Sequence, residues 1–259
     1  MLTIIKCLFS VPCKNRQQVL QWFIGIRYAK RKSELLLKLA REGRDIIIPA
    51  NDIQTLMAGL TLFTPANPWE HWHPAQDPKR VIDLGGNIGL ASLYFALRFP
   101  TAKIIAVEMM PENAAAIKRL ANLNQLNIET VNIAVGATEG TASVRLNQSH
   151  TRHSLETLQS DHADRLGFTD QTVTVPITRL GNLIGDLGWR SVDLLKVDIE
   201  GAEALLLDDI DGWSGLVSNV LLEIHHNVNA REAEALMIKH SFKRNGHDNI
   251  NRTELWFSK

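Results

Sequence analysis

From Arg80 onward, short apolar runs of strand length alternate with segments whose apolar residues recur every three to four positions, and this alternation most narrows what the chain can become. Val81–Leu84 reads as a strand and Leu90–Phe99 as a helix. Ile104–Glu108 is again a strand, Pro111–Asn124 a helix with proline in its first turn, and Thr130–Val135 a strand. Strands alternating with helices make βαβ units and a parallel sheet. After an insert the pattern resumes with a helix at Leu180–Leu187, a strand at Val192–Asp198, a helix at Ala202–Leu207 and a strand at Val220–Ile224. A helix near Ala230–His240 follows, and Phe242–Arg244 with Leu255–Phe257 forms a terminal hairpin. The expected fold is α/β and Rossmann-like, a mostly parallel sheet of about seven strands with helices on both faces.

Residues 1–75 read as an N-terminal helical cap with a short strand, and 76–259 as the main domain, in which 141–178 is an insert. In the cap, Val19, Leu20, Phe23, Ile26, Leu35, Leu36 and Leu39 recur at helical spacing between Asn15 and Glu42, which predicts one or two amphipathic helices. Asp45–Ile48 reads as the short strand. The basic cluster Arg27, Lys30, Arg31, Lys32 reads as a solvated helix face. Prolines 65, 68, 74 and 78 punctuate a loop that holds Trp69, His71, Trp72 and His73. In the insert, Thr141–Leu146 and Thr172–Ile177 alternate as strands around a polar segment with His150, His153 and His162, a candidate substrate lid.

With 259 residues, 45% of them hydrophobic, the chain can build a real core. The 28 basic side chains balance the 28 acidic ones, so no global field favours nucleic acid or an anionic membrane surface. Cys7 and Cys13 cannot staple the remainder, which fits a reducing compartment. Met1–Pro12 lacks the pattern of a secretory signal and no apolar run is long enough to span a membrane, so a cytoplasmic location is expected.

The segment Val81-Ile82-Asp83-Leu84-Gly85-Gly86-Asn87-Ile88-Gly89 places glycines where a buried strand turns into a helix, so that backbone can approach a ligand closely. A dinucleotide fingerprint requires Gly-x-Gly-x-x-Gly, whereas Asn87 and Leu90 stand at its second and third glycine positions. Asp83 at the strand end would repel a pyrophosphate and attract an ammonium and a sulfonium, which turns the loop toward S-adenosylmethionine. Glu108 ends the next strand, where a carboxylate can accept from both ribose hydroxyls.

A second charged group, Lys196, Asp198 and Glu200, ends the strand Val192–Asp198, at the end of the sheet where open α/β folds bind ligands. Lys196 and Asp198 share one face, either as a structural ion pair or pointing together into the crevice. Glu223, His225 and His226 end the following strand at similar depth.

Taken in order, Asp83-Leu-Gly-Gly-Asn-Ile-Gly89, Glu108, Ala134-Val-Gly136, Val175-Pro-Ile-Thr-Arg-Leu180, Lys196-Val-Asp-Ile-Glu-Gly-Ala-Glu203 and Leu222-Glu-Ile-His225 resemble the FkbM family of methyltransferases over about Arg80 to His226. The Lys-x-Asp-x-Glu-Gly element is the most specific part. The resemblance implies a class I methyltransferase fold and methyl transfer from S-adenosylmethionine to a hydroxyl of a small molecule such as a sugar, a polyketide or another secondary metabolite. It places the methionine end of the cofactor near Asp83, Gly85, Gly86, Asn87 and Gly89, the ribose on Glu108, and the adenine near Met109 and Asn132–Ala134. Met109 stands where a proline commonly follows the ribose-binding glutamate, and Gly181 where an aspartate is usual after Leu180.

For removal of the acceptor's proton, His225 or Asp198 is the expected general base. Lys196 or Glu200 orients the acceptor or its supports, and Glu223 holds His225. Asp198, Glu223 and His225 are an alternative ligand set for a divalent cation, but no tight metal spacing occurs and a metal is not favoured. His71, His73, His150, His153 and His162 read as packing or surface residues. An NAD-dependent oxidoreductase or epimerase would require a Tyr and Lys pair at helical spacing, which neither Tyr28 nor Tyr94 supplies. A non-catalytic binding module would keep the fold without the second polar cluster.

Overall fold

A computed structural model of the chain describes residues 13–29, 34–41, 44–62, 67–147, 154–155, 168–225, 228–245 and 254–259. They divide into two compact units, Met1–His73 with Arg119–Leu126, and Pro74–Lys118 with Asn127–Lys259.

The larger unit contains β3 (Arg80–Leu84), α3 (Leu90–Arg98), β4 (Lys103–Val107), most of α4 (Pro111–Asn124) and β5 (Ile128–Val131). Next come β6 (Ala134–Gly136), β7 (Gly140–Asn147), β8 (Ser154–Leu155), β9 (Phe168–Arg179), α5 (Leu180–Asp186) and β10 (Val192–Val197). The chain ends through α6 (Glu203–Asp208), α7 (Ile210–Trp213), β11 (Val217–Glu223), α8 (Ala230–Lys239), β12 (Lys243–Arg244) and β13 (Glu254–Ser258). Seven of these strands form one sheet in the order β5-β4-β3-β10-β11-β13-β12, with β13 antiparallel to both neighbours and the first five parallel. This is the class I methyltransferase order. From β3 the chain runs one way to β4 and β5, then returns to β10 and runs the other way. Right-handed crossovers therefore put α3 and α4 on one face and α6 and α7 on the other. The order reverses between β3 and β10, and a crevice opens at the carboxyl ends of those strands.

The core explains why these runs are strands. Ile82, Leu84, Leu195, Val197, Val220 and Leu222 are buried with Trp213, Phe242 and Phe257 in one cluster. Strands covered on both faces need no polar alternation. Trp213 also satisfies its indole N–H, which donates to the Leu206 carbonyl at 2.9 Å. The terminal hairpin is the β12–β13 pair.

Thr130–Val135 proves to be two strands in different sheets. β5 ends at Val131, and β6 joins a four-stranded sheet ordered β6-β9-β7-β8, whose long β7–β9 pair is antiparallel. The break falls at Asn132, whose side-chain amide donates to the carbonyls of Glu108 and Met109 at 2.8 and 2.9 Å. The histidines of the polar segment, His150, His153 and His162, lie outside the described residues, while Ser154–Leu155 between them forms β8.

In the smaller unit, α1 (Cys13–Ala29) is followed by β1 (Leu35–Arg41) and β2 (Arg44–Ala50), an antiparallel pair in register from Leu35 opposite Ala50 to Arg41 opposite Arg44. The helical reading of Leu35–Glu42 is thereby corrected. Leu35, Leu37 and Leu39 are buried while Leu36 and Lys38 are exposed, the period of two that a half-buried strand requires. The side chains of Asn15 and Gln18 donate to the β1 carbonyls of Lys38 and Leu36. Asn124 both accepts from the Ile47 N–H (2.8 Å) and donates to its carbonyl (2.9 Å) on β2, and Arg119 pairs with Glu34. A further helix, α2 (Ile53–Thr61), is capped by Asp52, which accepts from the Thr55 N–H at 2.7 Å. The side chains of Arg27, Lys30, Arg31, Lys32 and His71 lie outside the described residues. Among the described residues, no helix is long and apolar enough to cross a membrane.

Candidate active site

The glycine loop leaves β3 with Gly85 and Gly86 both donating to the Val107 carbonyl, at 3.0 and 2.9 Å, and with Leu84 accepting from the Asp198 N–H. Gly85 adopts φ +74°, and a Cβ there would lie 1.7 Å from the Asp198 carbonyl oxygen, so the loops after β3 and β10 touch through backbone. Gly86 serves packing instead. A Cβ on it would meet the Ile117 side chain of α4 at 2.9 Å. Gly89 opens α3, and Asn87 takes a left-handed conformation with φ +49°.

A cleft lies along these loops, lined by Gly85, Asn87, Glu108, Met109, Ala134, Asp198, Glu200 and Ala202. Glu108 is buried at its rim, and each of its oxygens holds one backbone N–H at 2.8 Å, Oε2 that of Asn87 and Oε1 that of Met110. Burial pushes its carboxyl above the ordinary glutamate value, against the pull of those two hydrogen bonds and the Asn113 side chain. The carboxylate is thus fixed in place with lone pairs to spare for hydroxyl donors. Asn132, expected beside an adenine, is spent on bracing residues 108–109, and Ile133 lines the cleft in its stead.

Asp83 departs most from expectation. It is wholly buried and does not line the cleft. One oxygen pairs with Lys196 Nζ at 3.1 Å, and the other accepts from Ser92 Oγ at 2.6 Å. Its charge is consumed inside the fold and does not face a cationic ligand. Lys196, also buried, pairs at 3.3 Å with Asp198 Oδ2 and donates to the Gly85 carbonyl at 3.3 Å. The structural ion pair and the functional placement are therefore one arrangement. Lys196 does not reach the cleft but fixes the Asp198 carboxylate that does.

Beyond Asp198 the polar end is built across two strands. His225 Nε2 stands 3.5 Å from Glu200 Oε2 and 3.8 Å from Asp198 Oδ1, and Nδ1 lies 2.9 Å from Glu203 Oε1. The carboxylate that holds His225 is Glu203, not Glu223. Burial pulls the imidazole pKa down, but the hydrogen bond and charge of Glu203, with the charges of Glu200 and Asp198, raise it to about 9. Glu223 is pushed up to about 7, by burial first and then by Asp198. Asp198, Glu200 and His225 each offer a ligand atom within 4.8 Å of the others, and Glu200 takes the place given to Glu223 in the alternative ligand set. A proton on His225 between two carboxylates accounts for the same proximity.

The model of the methyltransferase FkbM domain matches residues 83–249, which is more than half of the chain and contains both halves of this cleft. The chain belongs to the FkbM methyltransferase family. It is 29% identical over 168 residues to Methyltransferase 1 of Beauveria bassiana, covering 58% of this chain and 66% of that one. To Methyltransferase sdnD of Sordaria araneosa it is 29% identical over 169 residues, covering 55% and 65%. The match thus spans just under two thirds of the length of these curated relatives. Among solved structures, an FkbM methyltransferase from Methylobacillus flagellatus KT is similar with a TM-score of 0.44 and 15% identity, over 79% of this chain and 54% of that one.

Within this family member, Gly181 is explained by its neighbour. A Cβ there would lie 2.4 Å from the Gly212 carbonyl oxygen, so no acidic side chain fits without moving α7. Three contributors were not singled out from the sequence, namely Ser92, Asn113 and Glu203. Ser92 and Asn113 sit on helices with no motif around them. Glu203 belongs to the quoted Lys196–Glu203 element, but its role depends on β10 and β11 being adjacent.

Proposed function

We propose that the protein transfers the methyl group of S-adenosylmethionine to a hydroxyl oxygen of a small molecule, with a sugar, a polyketide or another secondary metabolite as the acceptor class. One observation carries this reading. A single cleft is lined by a backbone-fixed carboxylate, Glu108, and by Asp198 and Glu200, from which His225 Nε2 stands 3.8 and 3.5 Å away. Glu108 suits the two ribose hydroxyls, and Met109 and Ile133 offer apolar surface to an adenine. S-adenosylmethionine supplies a methyl group on a sulfonium, which departs as a neutral thioether keeping the electron pair of the broken S–C bond.

The chain's own residues handle the acceptor. His225 Nε2 takes the hydroxyl proton as the oxygen bonds the methyl carbon, while Asp198 and Glu200 hold the hydroxyl and the imidazolium that forms. Because the imidazole pKa is raised to about 9, His225 is protonated at neutral pH and becomes a base only as pH rises. kcat/KM should therefore climb with pH and level off above about 9. His225→Ala should lower kcat by at least about 10²-fold and leave S-adenosylhomocysteine binding intact. A profile flat from neutral pH upward, or full turnover in the variant, would remove His225 from this role.

Cofactor identity is tested by calorimetry. S-adenosylhomocysteine should bind and NAD should not. Glu108→Ala should weaken S-adenosylhomocysteine by about 10²–10⁴-fold, the loss of two hydrogen bonds to a charged group at about 1.5–3 kcal/mol each. An unchanged Kd would detach Glu108 from the ribose. A methyl-transfer assay across hydroxylated acceptors then separates an enzyme from a binding module.

A further inference from the structure

Glu203 opens α6, is fully buried, and spends both oxygens outside its own helix. Oε1 accepts from the Ile199 N–H at 3.1 Å and meets His225 Nδ1 at 2.9 Å, while Oε2 accepts from the Gly201 N–H at 3.0 Å. Ile199, Glu200 and Ala202 of that same loop line the cofactor cleft. One side chain therefore ties the wall of the cleft to His225, whose Nε2 stands near the Asp198 and Glu200 carboxylates of that wall. A carboxylate removed from water costs several kcal/mol unless its partners offset it, and three donors converge here to do so. A mere loop staple would need only acceptors for two backbone N–H groups. The third contact, to a ring nitrogen, asks for a carboxylate.

We infer that Glu203 is the positioning residue of this site, holding the His225 ring with its Nδ1 proton inward so that Nε2 faces Asp198, Glu200 and the acceptor. The inference rests on the proposed transfer to a hydroxyl, because it assigns Nε2 as the atom that receives the proton. Which ring nitrogen carries the resting proton is fixed by the bond the other makes, and a carboxylate accepts but cannot donate. The charged groups around His225 come from three elements: Glu203 from α6, Asp198 and Glu200 from the loop after β10, and Glu223 from the end of β11. Lys196 on β10 answers Asp198 from the far side. Glu203 is the only one of them hydrogen-bonded to the ring at Nδ1 among the described residues.

Glu203→Gln separates positioning from stapling. The amide retains one acceptor for the backbone N–H groups but presents NH₂ on its other atom. If NH₂ faces His225, it donates to Nδ1 and drives the ring proton to Nε2, closing the atom the reaction needs, and the bond from the Ile199 N–H is lost with it. If NH₂ faces the Gly201 N–H, two donors oppose each other and the loop loosens.

The experiment uses the full chain, with His225 resonances assigned by their loss in His225→Ala. Imidazole ¹⁵N shifts are followed against pH in wild type, Glu203→Gln and Glu203→Asp, with and without S-adenosylhomocysteine, alongside kcat/KM profiles. Wild type should show the Nδ1–H tautomer once deprotonated. Glu203→Gln should shift the neutral ring toward Nε2–H and move its titration down toward the ordinary histidine value of about 6.5. kcat should fall about 10²–10⁴-fold, a larger factor than the loss of S-adenosylhomocysteine affinity that follows from loosening the loop. Glu203→Asp, which keeps the charge on a shorter arm, should retain more of the raised titration than Gln does. A Glu203→Gln variant that unfolds more easily but keeps the wild-type tautomer and titration overturns the inference and leaves a loop staple. Failure of the parent reading looks different: wild type then methylates no hydroxylated acceptor, while the ¹⁵N spectra still report on Glu203.

Discussion

Lys196→Met should destabilise the fold by about 3–5 kcal/mol, the usual cost of removing one partner from a buried ion pair. For a chain of this size that corresponds to a fall in Tm of roughly 6–20 °C. Lys196 sits near the carboxyl end of β10 with Asp83 directly across the ladder on β3, and both side chains are almost completely withdrawn from water. Methionine matches the lysine stem in length and apolar character, so the change removes a charge and little volume. Asp83 is left with Ser92 alone. Burial pushes the lysine pKa down, yet the charges of Asp198 and Asp83 outweigh burial and raise it above the ordinary lysine value. The sign follows directly. A cation whose folded pKa is raised stabilises fully below its unfolded pKa, so the contribution is complete at neutral pH and fades only in strongly alkaline solution. The decisive comparison is the double variant Lys196→Met/Asp83→Leu in thermal or urea melts. It should recover most of the loss, because an apolar pair replaces the fully buried one and the carboxylate that still loses its lysine, Asp198, is partly exposed to water. A double variant no more stable than Lys196→Met would show that the pair is not what Lys196 contributes.

The same buried pair marks where reading the residues in order stops working. Asp83 looked like a ligand because it ends a strand beside a glycine loop, and a strand end is where ligands bind. What the order of residues does not carry is that Lys196 lies directly opposite it. That depends on β10 inserting next to β3, more than a hundred positions later in the chain. The sheet itself was legible. Parallel strands buried on both faces announce themselves as unbroken apolar runs, and the helices between them keep their period, so the bounds found for α4 match those expected. Leu35–Arg41 failed for the opposite reason. Leu35, Leu36 and Leu39 satisfy helical spacing while Leu35, Leu37 and Leu39 satisfy alternation, and only pairing with β2 decides between them.

Within the site, legibility tracks the range of the interaction. Glu108 could be placed because it ends the strand following the glycine loop, and the loop's Asn87 N–H meets its carboxylate. His225 could be picked out as a strand-end polar residue, but the group that holds it could not. Glu223 is two positions away, which made it the nearer choice on paper. In a strand, residues two apart share a face without their side chains having to meet, whereas Glu203 arrives from the start of α6 and meets the ring from the adjoining strand's loop. Local sequence thus identifies reacting groups better than the groups that orient them.

Gly85→Ala should weaken cofactor binding by at least about 10²-fold, for two reasons that add. The backbone at Gly85 has φ +74°, where an L-residue is disfavoured by about 1–2 kcal/mol. The added Cβ would also fall 1.7 Å from the Asp198 carbonyl oxygen and 2.8 Å from its carbonyl carbon. These atoms are main chain, so no side-chain rotation can relieve the overlap. Either the loop after β3 lifts, breaking the bonds of Gly85 and Gly86 to the Val107 carbonyl, or the end of β10 swings away and loses the bond from the Asp198 N–H to Leu84. Both movements displace the walls of the cleft, and the second also drags Asp198 from Lys196 and His225. Gly188→Ala is the matched control. Gly188 has a similar φ of +69°, but a Cβ there would meet nothing within 4 Å, so only the conformational cost of about 1–2 kcal/mol applies. Calorimetry with S-adenosylhomocysteine and thermal melts on the two variants separate the contributions. Gly188→Ala should melt slightly lower and bind normally, while Gly85→Ala should melt much lower and lose at least about 10²-fold in affinity. Normal affinity in Gly85→Ala would mean that the backbone approach between the two strand ends is dispensable, and the cleft would have to be rebuilt around other contacts.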